Sequence, residues 1–152
     1  MTARLPAPKP KKRANVRFVD TNVLLYAVSR EDDEQRKAQH ASEILDGQDL
    51  ALSVQVLQEF YYQATRDSRP NRLTHEEAVE LVQSFQRFPV QETTAGLVLD
   101  AIKTKQRFQI SYWDAAIIEA ARALRCEVVL SEDLNDGQDY GGVRVENPFE
   151  SD

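Results

Sequence analysis

The 152-residue chain holds one cysteine, Cys126, which excludes a disulfide framework and a cysteine-rich zinc site. Cys126 stands beside a β-like run with no base or resolving thiol near it in sequence, and it reads as core packing. Histidine is also scarce. His40 and His75 lie in polar helical stretches and read as surface residues, not as catalytic bases or ligands. There is no Gly-x-Gly-x-x-Gly, no Gly-x-x-x-x-Gly-Lys and no Gly-x-Ser-x-Gly, which argues against a dinucleotide site, a P-loop and a serine-hydrolase elbow. Asp20-Thr21-Asn22 lacks the second aspartate of a phosphoaspartate phosphatase. No apolar stretch nears the roughly 18 residues of a membrane span. The basic N-terminus is not followed by the apolar segment of a secretory signal. The expectation is a soluble, cytoplasmic protein with no membrane partner.

What is present fits one ordinary globular domain: 41% hydrophobic and 29% charged residues. The net charge of -6 is unevenly spread. Residues 1–17 contain Arg4, Lys9, Lys11, Lys12, Arg13 and Arg17 and no acid, so the rest of the chain is strongly acidic. That balance argues against gripping nucleic acid with the whole surface, but not against local binding through a metal and a few arginines. Residues 1–15, with Pro6, Pro8 and Pro10 among the basic residues, read as a disordered basic arm, and residues 16–150 as the domain.

Within the domain, β-like and helical segments alternate. Val16–Val19 and Leu50–Ser53 read as short strands, with further strands at Phe88–Gln91, Glu127–Ser131 and Val143–Val145. Helices are expected over Leu24–Val28, over Asp33–Leu45 with Gly47 as its stop, and over Val54–Arg66. Three more are expected: one opening at the capping box Thr74-His75-Glu76-Glu77 and reaching about Phe85, one over Thr93–Phe108, and one from the cap Ser111 to about Arg125. Alternation of this kind implies an α/β fold with parallel strand pairing and helices on both faces. Ligands in such folds sit beyond the carboxyl ends of the strands.

Four acids fall at or near those ends. Asp20 follows the first strand, Asp133 lies just past the strand ending near Ser131, Asp114 opens a helix, and Glu59 lies within the helix after the second strand. None has a basic neighbour in sequence. Brought together, they would repel one another unless a cation sat among them. Oxygen ligands alone select Mg²⁺, Mn²⁺ or Ca²⁺. Each acid also has a plainer reading. Asp20 can cap a helix, Asp114 can complete a capping box with Ser111, and Asp133 can be a turn residue. Glu59 points about 145° away from its helix's apolar stripe, as a solvated glutamate would.

The motifs Val19-Asp20-Thr21-Asn22-Val23-Leu24-Leu25-Tyr26, Ser53 followed by Glu59, Trp113-Asp114-Ala115-Ala116-Ile117-Ile118, and Val129-Leu130-Ser131-Glu132-Asp133-Leu134 together resemble a PIN domain, and Asn147-Pro148-Phe149 is similar to its tail. The nearest resemblance is to VapC-type toxins of toxin–antitoxin pairs. It implies a three-layer α/β/α sandwich with a mainly parallel sheet and a Mg²⁺- or Mn²⁺-dependent endoribonuclease. It makes Asp20, Glu59, Asp114 and Asp133 the metal-binding catalytic acids, supported by Thr21, Asn22 and Ser131. It also implies an RNA substrate, a cognate antitoxin and a homodimer, with Phe60, Tyr61, Tyr62 and Trp113 as candidate dimer contacts. Arg66, Arg69, Arg72, Lys103, Lys105 and Arg107 are candidates to line the RNA approach, and Asp136 is an extra acid near Asp133. The alternatives are a PIN-like module that binds RNA or protein without cutting, and a phosphatase for small phosphoesters.

Overall fold

The computed structural model describes residues 16–150; the proposed arm over residues 1–15 lies outside them, as do residues 151–152. Five strands carry the sheet: β1 (Arg17–Val19), β2 (Leu50–Ser53), β3 (Val90–Gln91), β4 (Val128–Leu130) and β5 (Arg144–Glu146). Six α-helices alternate with them: α1 (Thr21–Ala27), α2 (Gln35–Leu45), α3 (Val54–Thr65), α4 (His75–Phe85), α5 (Ala95–Phe108) and α6 (Tyr112–Ala123). The strand order is β3-β2-β1-β4-β5, and all four pairings are parallel.

This order dictates the layers. Parallel crossovers are right-handed almost without exception. The steps β1 to β2 and β2 to β3 run one way along the sheet, which puts α1–α4 on one face. The return from β3 to β4 runs back past β2 and β1, which puts α5 and α6 on the other. The contacts agree: α6 packs against β2, β3 and β4, while α1 packs on α2 and α3, and α3 on α4. The sheet is thus covered on both sides, and its residues are apolar without alternation, as a two-sided burial requires. Phe18, Val19, Ala51, Leu52, Val129, Leu130 and Val145 all lie in the core.

Local chemistry explains most boundaries. Asp20, Ser53, Thr74, Thr94 and Ser111 each cap the helix that follows by accepting a backbone N–H. At α4 the reciprocal box is complete, with Glu77 also accepting from the Thr74 N–H at 3.0 Å. Thr74→Ala is therefore expected to lower unfolding free energy by about 1 kcal/mol, measurable by urea titration. Several boundaries differ from the sequence reading by a few residues. The first helix begins at Thr21, three residues early, because Asp20 caps it directly. The segment from Asp32 to Glu34 is a 3₁₀ turn, and α2 starts only at Gln35. Gly47 does follow the end of α2, its N–H bonding the Ile44 carbonyl at 3.0 Å.

Cys126 is buried, as expected. Phe60 corrects an expectation: it is fully buried, its ring edge-on to Phe85, and it is unavailable to any dimer surface. His40 is half-buried, its ring edge-on to Phe149. Among the described residues no helix is long and apolar enough to cross a membrane.

Candidate functional site

In an open parallel sheet the crevice forms where neighbouring strands send their chains in opposite directions. Here that point lies between β1, which leads to β2, and β4, which leads to β5. The register Val19↔Leu130 brings the two carboxyl ends level, so Asp20 and Ser131 emerge side by side.

Asp20 is only 6% exposed. One oxygen accepts from the Thr21 N–H at 2.7 Å; the other accepts from the Ser131 hydroxyl at 2.8 Å. The capping role that sequence offered is therefore real, and it occupies only one side of the carboxylate. Burial pushes Asp20 up from 3.8 to about 7, against the two hydrogen bonds, with the charges of Glu59 and Asp133 adding to the rise.

Glu59 is not the freely solvated glutamate its helical phase suggested. Oε2 accepts from the Thr21 hydroxyl at 2.8 Å and Oε1 from Gln55 Nε2 at 3.0 Å. Asp133 accepts from Asn22 Nδ2 at 3.2 Å. Asn22 Oδ1 in turn accepts the Glu132 N–H at 3.1 Å, tying α1 to the segment after β4. Ser131 Oγ accepts the Asp133 N–H at 3.1 Å. Asp114 sits in the first turn of α6, where its N–H bonds Ser111 Oγ at 3.1 Å. Burial raises the Asp114 carboxyl, the Ser111 hydroxyl opposes this, and Asp133 and Glu59 raise it further.

The charges of Glu59 and Asp133 thus bear on both Asp20 and Asp114, which puts those two acids within electrostatic reach of each of the others. Among the described residues no ion pair falls on any of them. As placed, no three acids, histidines or cysteines among the described residues close to ligand spacing. Glu59 and Asp133 are turned toward Thr21, Gln55 and Asn22 instead. A buried carboxylate raised to about 7, acted on by Glu59 and Asp133 and without an ion pair among the described residues, is nonetheless chemistry suited to a hard divalent ion.

The remaining candidates are spread out. Arg66 and Arg69 border a cavity of about 270 Å³ together with Asn22, Tyr26, Glu132 and Asp133. Arg72 lies on the same loop but pairs with Asp67. Lys103, Lys105 and Arg107 are exposed on α5; Lys105 and Arg107 occupy its last turn, where they complement the helix dipole, and Arg107 covers the Phe108 ring. Asp136 is spent elsewhere, its Oδ1 accepting the Asn147 N–H at 2.8 Å.

Sequence reasoning missed two groups. Gln55 bonds both Glu59 and, at 3.2 Å, the Trp113 carbonyl, so it joins α3 to α6. Its position one turn before Glu59 was the available signal. Glu132 forms the second group: Tyr26 Oη and Lys37 Nζ donate to its two oxygens at 2.6 Å each. Burial pushes Glu132 up, but these bonds outweigh it and leave its carboxyl below the usual range. The clamp holds the backbone between Ser131 and Asp133. Tyr26→Phe is expected to destabilise the fold by about 1 kcal/mol in urea titration, with Lys37 keeping its own bond to Glu132.

A family model described as PIN domain matches residues 17–135. No curated protein matches the chain. Among solved structures, a toxin–antitoxin complex from Klebsiella pneumoniae is similar at a TM-score of 0.63 and 18% identity, covering 88% of this chain and 98% of that one. The DNA-bound VapBC of Salmonella typhimurium is similar at 0.61 and 19% identity, covering 87% and 97%. VapC20 of Mycobacterium tuberculosis, a sarcin–ricin loop cleaving toxin, is similar at 0.60 and 18% identity, covering 77% and 91%.

Proposed function

The chain belongs to the PIN-domain family, and we propose that within it this protein is a metal-dependent endoribonuclease, the toxin of a toxin–antitoxin pair acting in the cytoplasm. One observation carries the reading: at the carboxyl ends of the strands the charges of Glu59 and Asp133 bear on both Asp20 and Asp114, Asp20 is buried with its pKa raised to about 7, and among the described residues none of the four is ion-paired. The names of the similar structures, a toxin–antitoxin complex, a DNA-bound VapBC and a sarcin–ricin loop cleaving toxin, support the biological setting.

Asp20, Asp114 and Asp133 would hold Mg²⁺ or Mn²⁺, with Glu59 contributing directly or through water. Such an ion supplies charge neutralisation at the phosphate and a bound water acidic enough to attack it. Thr21, Asn22 and Ser131 hold the carboxylates in place before any ion arrives. Ser131 does most, since its hydroxyl donates to Asp20 while its oxygen accepts from the Asp133 backbone. Glu59 and Asp133 would exchange their bonds to Thr21, Gln55 and Asn22 for the ion. Arg66 and Arg69, beside Asp133, would meet the RNA backbone, with Arg72, Lys103, Lys105 and Arg107 as more distant attractors. A cognate antitoxin would cover the crevice, and the protein would act as a homodimer.

Incubation of end-labelled RNA with the protein tests the reading. Cleavage is expected only with Mg²⁺ or Mn²⁺, stopping on chelation and leaving 5′-phosphate and 3′-hydroxyl ends. RNA binding without cleavage in either metal would instead establish a non-catalytic module. Rapid turnover of a generic phosphomonoester with inert RNA would establish a phosphatase.

A further inference from the structure

The face of α3 that carries Glu59 carries more than the carboxylate. At about 100° per residue, Gln55, Arg66 and Tyr62 fall within about 60° of Glu59, all on one side. Tyr62 is 65% exposed, one turn beyond Glu59, and Arg66 follows one turn later. On α6, Trp113 is 64% exposed and immediately precedes Asp114. Its ring stands edge-on to Tyr112 at 4.9 Å, and its backbone is fixed to the carboxylate network by the Gln55 bond to its carbonyl. Two exposed rings therefore flank the acids along the chain, Tyr62 one turn after Glu59 on α3 and Trp113 directly before Asp114 at the start of α6.

The other exposed apolar side chains lack that tie. Tyr61 bonds His75 through its hydroxyl at 2.9 Å and turns toward α4. Leu99 and Ile102 lie on the outer face of α5. Around Tyr62 the neighbours on α3 are Gln55, Gln58, Glu59 and Arg66, too polar for a dry protein–protein contact. Aromatic rings interleaved with arginine beside a phosphate site are instead the chemistry that holds single-stranded nucleic acid. Every base presents a π-face for stacking, and the arginine meets the backbone.

We infer that Trp113 and Tyr62 are base-stacking residues that grip unpaired RNA nucleotides flanking the phosphate to be cut. This rests on the nuclease reading above. Stacking orders the strand across the acids without reading its sequence, and it favours a loop or single strand over a duplex, whose bases are not free to stack.

Trp113 is the chain's one tryptophan, so its fluorescence reports the proposed contact directly. With a chelator present and at low salt, an oligouridylate of about eight nucleotides should quench the emission saturably, and an abasic ribose-phosphate chain of the same length should not. In steady-state cleavage with Mn²⁺, Trp113→Ala and Tyr62→Ala should each raise KM about ten-fold with a far smaller change in kcat, and Trp113→Phe should recover most of the loss. Circular dichroism confirms that each variant is folded. If cleavage is normal and both alanine variants leave KM unchanged, the stacking assignment is overturned and the nuclease reading stands. Quenching by RNA with no cleavage in any metal overturns the nuclease reading and leaves the stacking. Quenching that grows with protein concentration alone overturns the assignment in favour of a second copy at these rings.

Discussion

Asp20→Asn combined with Asp114→Asn is expected to reduce metal-dependent RNA cleavage by at least roughly 10²–10³-fold, with circular dichroism unchanged. The two substitutions remove the buried carboxylate beyond β1 and the one that opens α6, while the amide of Asn retains an oxygen for the Thr21 N–H that Asp20 now accepts. Asparagine also keeps the helix cap, so loss of activity with retained fold separates a metal role from a capping role. An activity loss matched by a fall in melting temperature would trace the loss to the fold and leave Asp20 and Asp114 without a demonstrated metal role.

The second large effect is on stability. Burial raises Asp20 from 3.8 to about 7, so ionising it inside the fold costs on the order of 4 kcal/mol. Below 3.8 the group is protonated in both states and its contribution is fully present. Between 3.8 and about 7 only the unfolded chain ionises, and stability falls as pH rises. Asp114, raised by burial and by Asp133 and Glu59, acts in the same direction. Glu132, held below its usual range by Lys37 and Tyr26, acts oppositely, so the useful quantity is the difference between wild type and Asp20→Asn. In the absence of metal, the wild-type melting temperature should fall relative to Asp20→Asn by roughly 5–10 °C between about pH 5 and about pH 8. Mn²⁺ at the upper pH should raise the wild type and leave the variant nearly unmoved. Parallel melting curves for the two proteins across that range would show that the fold does not strain against the Asp20 charge.

Most of the scaffold was legible because its signals are local. The capping box at Thr74, the cap at Ser111 and the apolar run Leu50–Leu52 each encode their own element, and each was found within a few residues. Asp20, Asp114 and Asp133 were legible because their positions at strand and helix ends follow from chain order. Glu59 was the opposite case. Its helical phase pointed to solvent, and only tertiary packing, which brings Thr21 and Gln55 to its two oxygens, makes it part of the crevice. Phe60 failed as a surface candidate for the same reason: α4 covers it through Phe85, a contact between residues far apart in sequence. The clamp of Tyr26 and Lys37 on Glu132 spans about the whole domain and has no local signature. Arg72, a candidate for the RNA approach, pairs with Asp67, and Asp136, an extra acid whose reach the sequence left open, accepts the Asn147 N–H.

Calorimetric titration with Mn²⁺ tests the central claim most directly, because it needs neither the RNA nor the antitoxin to be known. The four coupled acids predict exothermic or endothermic saturable binding to the wild-type protein near neutral pH. The Asp20→Asn/Asp114→Asn variant should bind more than roughly 100-fold more weakly, since even residues that only support metal ligands are worth 10–100-fold in affinity. Equal Mn²⁺ affinity in the two proteins would contradict the account and remove these carboxylates from any metal site.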